Sequence, residues 1–494
     1  LPRLGFAGFF NAKILLKNVS FSGFQSEINK NSKEEFVLGI VISLIVTFWM
    51  GYLIVKKYKP QPVLFIAGLI LMFSAVFLGL GKILPVKEST GFVLFDAFEF
   101  IKRTFSSRAG GLGLNIMAVA GFARYMDHIG ASKALVKLTI TPLLALRAPY
   151  LVMAAAWILG MMLGLAINSA SGLAMLLMVT VFPILISLGV SRLSAVAVIA
   201  TTLCLDWSPS DTGTLLAANT AGIDPVTYWV QYQVPIAAVV IPVVAVLHYF
   251  TQKWMDKRDG HVVQSSELVA VKNKDGKLEK LPPMFYAILP VIPLALILSF
   301  SNLWISWIKM DIIKAMFIGL AIGMIVEYVR VRDGKKVLAD IQVFFDGLGM
   351  QMANVITLIV AGETFAKGLV TIGTIDTIIQ SAQTSGFGAA GMILVMITII
   401  AVSSVLMGSG NAPFFAFAAL TPTVAAKMSV APVVMLLPMH FAASAARAMS
   451  PITAVIVVAS SMGGVSPFDV VKRTAIPMAG ALITLVVANF IFFY

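Results

Sequence analysis

Arg447 is the residue that most needs a chemical reason. It ends the apolar run Val430–Ala446. A central arginine in such a run costs about 2.5–3.5 kcal/mol on insertion scales, so it normally faces a cavity or a partner. Its guanidinium is a planar fork that fits a carboxylate bidentately. On a helix His440, Ser444 and Arg447 stand at i, i+4 and i+7 and share one face. We read Arg447 as a contact for an anionic substrate. The competing reading keeps it within the protein, snorkelling to an interface or paired with Asp206 or Asp211. His440 is read first as a packing residue and only second as a proton carrier.

Two polar clusters could supply further ligands. Asn168-Ser169-Ala170-Ser171-Gly172 and Gly408-Ser409-Gly410-Asn411-Ala412-Pro413 each interrupt an apolar region. Glycine permits a tight tip, and Ser or Asn oxygens can bind a cation or a substrate. Small-residue helix packing would use the same residue types; two clusters at corresponding places favour function. About forty residues after each comes a second break, Asp206–Thr214 and Ser444–Thr453. Proline there removes a backbone donor, and a helix that restarts offers N–H groups to an anion. Ser169, Ser171, Ser409, Asn411, Arg447, Ser450 and Thr453 are therefore the candidate substrate contacts. Asn168, Asp206, Ser208, Ser210, Asp211 and Gly410 are candidates for substrate or coupling ion, H⁺ or Na⁺. Asp211 could equally cap the helix after Pro209.

The elements that must position these residues are apolar helices. The 494 residues are 59% hydrophobic and 12% charged, with mean hydropathy +0.94. Soluble domains carry about 25% charged residues, so a polytopic membrane protein is indicated, and an ordinary soluble enzyme and a disordered chain are excluded. Phe36–Val55 and Pro62–Gly81 are clear spans. Further apolar runs bring the expected number to about ten to twelve. Leu173–Leu188 and Phe414–Ala426 are shorter, each follows a polar cluster, and both read as arms of re-entrant hairpins. The first 33 residues end in a polar stretch and carry no structural weight.

The net charge of +13 gathers in short loops, which favours membrane orientation over nucleic-acid binding. The basic loop 251–282 is expected in the cytoplasm and separates a first transmembrane half, 34–250, from a second, 283–494. The halves repeat over about 111–242 and 347–484. Phe122-Ala123-Arg124 with Ile129-Gly130 matches Phe365-Ala366-Lys367 with Ile372-Gly373, 243 residues on. Ser208-Pro209 matches Ser450-Pro451, and Gly222-Ile223-Asp224-Pro225 matches Gly464-Val465-Ser466-Pro467, both 242 residues on. The expected fold is all-α, with two internal repeats taken as inverted, re-entrant hairpins and broken helices, as in secondary transporters.

One cysteine, Cys204, and four histidines offer no certain metal site and no cofactor is expected. No phosphate-binding glycine loop, zinc motif or nucleophile–base constellation is evident, so neither an enzyme nor a primary pump is indicated. A passive channel is a minor alternative.

At these residues the chain resembles the anaerobic C4-dicarboxylate transporters of the DcuC family, within the wider ion-transporter superfamily. The resemblance lies in Asp127-His128-Ile129-Gly130-Ala131, in Ser169–Gly172 leading to Val181-Phe182-Pro183, and in Gly408–Phe414. It continues through Arg447 with Ser450-Pro451 and through Ser466–Thr474. It implies a carrier for succinate, fumarate or malate in the bacterial inner membrane, with a scaffold part and a transport part holding two hairpins. Hairpin tips would lie near Ser169–Gly172 and Ser409–Asn411, and broken helices near Ser208–Asp211 and Ser450–Thr453. A homodimer follows from superfamily analogy alone. An amino-acid or other organic-anion carrier of the same superfamily is the alternative, supported if Asp206 and Asp211 hold a substrate ammonium. Efflux, exchange and cation-coupled symport all stay open.

Overall fold

The computed structural model describes residues 38–54, 56–141, 148–261, 282–301, 304–305, 307–377, 380 and 388–494. The N-terminal segment 1–33 and most of the basic loop lie outside these. Among the described residues all regular structure is helical.

Among the described residues, seven helical stretches are long and apolar enough to cross a bilayer, from Pro60–Phe77 to Pro467–Phe493, and four shorter apolar helices accompany them. One of the ten to twelve expected spans is broken for a local reason. The expected span Leu193–Leu216 is two helices, Arg192–Ala200 and Thr212–Ala221, separated by a non-helical segment. Pro209 cannot donate to a helical ladder, and Asp211 caps the restart by accepting from the N–H groups of Gly213 (2.7 Å) and Thr214 (3.1 Å). The second break lies between Pro432–Arg447 and Ala454–Gly463 in the same way.

Elements recur at the spacing of the sequence matches. Five-residue π turns at Ala109–Gly113 and Met352–Ile356 each lead into a fifteen-residue helix, Leu114–His128 and Thr357–Thr371. Thr212–Ala221 and Ala454–Gly463 both have ten residues and end on a left-handed glycine, Gly222 or Gly464. That backbone conformation favours glycine over any residue with a Cβ.

Pro149–Leu163 runs inward to a turn at Gly164–Ser169, and Ala170–Ser187 runs back. Both outer ends meet the same partner. Tyr150 Oη donates to Asp256 Oδ2 (3.0 Å) and Ser191 Oγ to Asp256 Oδ1 (2.6 Å). The two helices form a hairpin, with Ser171 and Gly172 inside the first turn of the return arm rather than at the tip; at eighteen residues that arm is longer than the short arm expected and is itself long enough to cross a bilayer. In the second hairpin Ala389–Met407 turns at Gly408 (φ +64°) into Asn411–Ala418 and Thr421–Lys427. The helix Val234–Arg258 also runs past Thr251, so the basic loop begins later than expected. One face of its last turns is buried: Gln252 and Asp256 are fully enclosed.

Small residues let the supporting helices approach closely. A Cβ placed on Gly68 would lie 2.6 Å from the Thr364 carbonyl, and one on Gly347 2.7 Å from Gly121 Cα. These contacts tie Pro60–Phe77 to Thr357–Thr371, and Gln342–Gln351 to Leu114–His128.

Candidate substrate and coupling site

The first break cannot satisfy its backbone by helix hydrogen bonds, and side chains take over. Trp207 Nε1 donates to Met161 O (3.1 Å) and Ser208 Oγ to Leu165 O (3.0 Å), both in the first hairpin. Asn168 Nδ2 donates to Ser210 Oγ (2.9 Å), and the Ser208 and Ser210 hydroxyls lie 3.0 Å apart. The hairpin tip and the break therefore form one polar unit. Asn168 Oδ1 is buried and has no hydrogen-bond partner among the described residues.

Across from this unit stands the helix Pro432–Arg447. Arg447 Nη2 lies 2.7 Å from Asp206 Oδ1 and donates to Leu203 O at 2.9 Å. Ser444 Oγ donates to the other Asp206 oxygen at 2.7 Å. The carboxylate is 7% exposed, so its charge is balanced by one guanidinium in a largely dry environment. The shared face read for His440, Ser444 and Arg447 is thus turned on the first break.

His440 Nε2 lies 3.4 Å from Asp211 Oδ2, within ion-pair range but off hydrogen-bond alignment, which leaves this buried nitrogen unpaired. Its Nδ1 faces Gln233 Nε2 at 3.5 Å, and Gln233 Nε2 donates to Thr214 Oγ1 at 2.9 Å. Phe414 of the second hairpin stacks on the ring, with centroids 5.0 Å apart. Donor atoms of Asp206, Asp211 and His440 all lie within 4.8 Å of one another. Two carboxylates face one guanidinium there, a charge balance that one proton or monovalent cation could complete.

The second hairpin closes the site. A Cβ on Gly410 would come 2.8 Å from Ala443 O and 3.4 Å from Arg447 Cδ, and one on Gly408 2.7 Å from Ile452 Cγ1. Only glycine lets this turn lie against the helix. Thr453 Oγ1 donates to Arg447 O (2.5 Å), fixing the end of the helix, and Ser450 Oγ is buried without a partner among the described residues.

The expected residues do not all converge. Asp206, Arg447, Gly410 and Thr453 share one locus with Ser444, His440 and Asp211, and Asn168, Ser208 and Ser210 form the adjoining unit. Ser169 is exposed, and its hydroxyl accepts from Gly172 N–H as a helix cap (3.1 Å). Ser171 is half-buried on the return arm. Ser409 lines a separate cleft that the ion pair does not line, and Asn411 begins the following helix.

Two features were missed. Arg473 is 2% exposed and pairs with fully buried Asp256 (2.5 Å) and with Asp259 (2.6 Å), joined by Ser194. Arg108 bridges Glu363 (2.6 Å) and Asn219 (2.6 Å). A basic residue embedded near apolar sequence was the available signal for both; their partners are more than one hundred residues away.

The family model described as C4-dicarboxylate anaerobic carrier, DcuC, matches residues 38–494. The anaerobic C4-dicarboxylate transporter DcuC of Escherichia coli strain K12 is 35% identical over 451 residues, covering 91% of this chain and 96% of that protein. A Vibrio cholerae relative bearing the same transporter description is 36% identical over 457 residues, covering 92% and 98%. Among solved structures, Neisseria gonorrhoeae MtrF, reported within a class of antimetabolite efflux pumps, superposes with TM-score 0.64 at 16% identity, covering 88% of this chain and 95% of that one. The Alcanivorax borkumensis YdaH transporter gives 0.57 at 15% identity, covering 87% and 98%. These two similarities concern the fold.

Proposed function

We propose, for a chain that belongs to the DcuC family of C4-dicarboxylate anaerobic carriers, that Arg447 is the switchable carboxylate contact of a secondary transporter. The protein is a multi-pass inner-membrane transporter and not an enzyme. Its substrates are succinate, fumarate and malate, carried by alternating access between two inverted repeats. The observation that carries this reading is the buried Arg447–Asp206 pair between the two breaks.

In the conformation described, Asp206 occupies the guanidinium. A substrate carboxylate reaching Arg447 would place a second anion on it, so Asp206 must leave or be neutralised. A proton or a Na⁺ ion bound among Asp206, Asp211 and His440 would do this. The order of events follows: the cation loads Asp206, Arg447 is released, and the dicarboxylate takes its place.

The energetics set the need for coupling. One charge crossing 100 mV is worth about 2.3 kcal/mol, so a dianion entering an inside-negative cell costs about 4.6 kcal/mol. Export gains the same amount. Efflux and dianion exchange then run unaided, whereas uptake needs two cations to cancel the electrical term.

The amino-acid alternative would use Asp206 and Asp211 to hold an ammonium. Asp211 is engaged by two helix N–H groups and Asp206 by Arg447 and Ser444, which favours the dicarboxylate reading. The test is counterflow of labelled succinate into proteoliposomes preloaded with unlabelled succinate, fumarate, aspartate or buffer. Saturable entry stimulated by dicarboxylates supports the reading; correctly inserted protein giving none overturns it.

A further inference from the structure

A cleft of about 420 Å³ is lined in part by Ser409, whose neighbour Gly410 lies against Arg447. One water occupies roughly 30 Å³ in the liquid, so the space admits a four-carbon dianion with part of its hydration. Lys57, Tyr58, Gln61 and Ser409 line it beside an apolar wall that includes Ile54, Leu358 and Ile452, and among the described residues no acidic side chain does. The cleft therefore presents an ammonium, a phenol, an amide and a hydroxyl.

Its construction is specific. Lys57 sits at φ +66° just past the helix Leu38–Ile54, where its N–H donates to Ile54 O (2.9 Å). Glycine is favoured at such a position, and the exposed lysine there lines the cleft at the expense of backbone ease. Pro60 then opens the eighteen-residue helix Pro60–Phe77, whose first N–H groups are free of helix partners. Gln61 Nε2 donates to Asn354 O (3.1 Å) and joins this wall to the π turn Met352–Ile356.

The Gly408–Gly410 turn touches both the cleft and the helix that carries Arg447. Ser409 and Ile452 line the cleft, whereas Gly410 lies against Ala443 and Arg447. We propose that the cleft is a second, outer binding site for the dicarboxylate, with Lys57 and the Ser409 hydroxyl as its ligands, from which substrate reaches Arg447 when the glycine turn moves. The inference rests on the dicarboxylate reading above. Lys56, Lys57 and Lys59 fall within the four residues after the apolar run Phe36–Val55, and by the positive-inside rule such a cluster faces the cytoplasm, which makes this the station for substrate leaving the cell.

The test uses Ile452→Cys with the buried Cys204 replaced by serine, in the full-length protein. A charged, membrane-impermeant maleimide labels Cys at position 452, and succinate is titrated against the labelling rate. Succinate should slow labelling, and Lys57→Gln should raise the half-protecting concentration about fivefold, the worth of one partly exposed ion pair. Protection should persist in Arg447→Ala, because the outer site does not use that residue. Protection that vanishes with Arg447→Ala, or that ignores Lys57→Gln, overturns the outer site. Succinate counterflow of unmodified protein is run in parallel. Counterflow present with no Lys57-dependent protection rejects the cleft alone; absence of both rejects the dicarboxylate reading and the cleft with it.

Discussion

Arg447 and Asp206 stand 241 residues apart in sequence and 2.7 Å apart in space. Each lies at the break of its own half of the chain. Removing one partner of a buried pair strands the other charge and costs about 3–5 kcal/mol. Arg447→Ala should therefore both abolish succinate counterflow and lower the melting temperature of the purified protein. Arg447→Ala combined with Asp206→Asn should recover most of the melting temperature and none of the transport. A double variant that transports at the wild-type rate would remove Arg447 from the substrate site.

Asp206→Asn alone separates binding from coupling. An amide keeps the shape and can still accept from Ser444, which now donates to Asp206 Oδ2 at 2.7 Å. It cannot take up a proton or hold a cation by charge. Succinate–succinate exchange should persist within about tenfold of wild type, since substrate no longer competes with a carboxylate for Arg447. Uptake driven by an imposed proton or sodium gradient should disappear. Equal loss of both activities would make Asp206 a structural partner only.

The breaks were legible because proline and glycine interrupt apolar sequence: Pro209, Pro451 and the Gly408–Gly410 turn each mark a place where the helix ladder fails. Pairing Arg447 with Asp206 was foreseeable as one of two readings, because a buried guanidinium needs an anion. Which anion took three-dimensional information. Ser169 shows the converse: its hydroxyl satisfies its own helix start, a local demand that any serine before a helix can meet, and residue type alone does not separate capping from ligand binding. Lys253, Lys257 and Arg258 make the end of Val234–Arg258 look like part of the basic loop, yet Gln252 and Asp256 between them are buried against Arg473. Polarity predicts exposure only where no distant partner arrives.

That Arg473 cluster carries its own expectation. Arg473, Asp256, Ser194 and Gln252 are almost wholly buried and mutually hydrogen-bonded. Tyr150 and Ser191 bring the two ends of the first hairpin onto the same carboxylate. Arg473→Ala should lower stability by about 3–5 kcal/mol and loosen the hairpin ends. Thermal melting should show the loss, and hydrogen exchange should rise around Tyr150 and Ser191 before it rises at Arg447. Unchanged melting would mean that water replaces the guanidinium without penalty.

Arg108 tests the conformational balance. Its guanidinium joins Glu363, on a helix packed against Pro60–Phe77, to Asn219, near the end of the helix that Asp211 caps. At 1.5 Å per residue, Asn219 lies about 12 Å along that helix from the capping residue. The bridge therefore ties the element carrying the candidate site to a supporting helix in the conformation with the Lys57 cleft open. Arg108→Gln keeps one donor and loses the charge, removing about 1 kcal/mol of preference for this arrangement. The cleft-open population should fall, and labelling of Cys at position 452 should slow two- to fivefold without substrate. Glu363→Gln should act in the same direction and the two changes should not add, since either one breaks the same pair. Additive effects would assign Arg108 and Glu363 to separate contacts and remove the bridge as a determinant of which side opens.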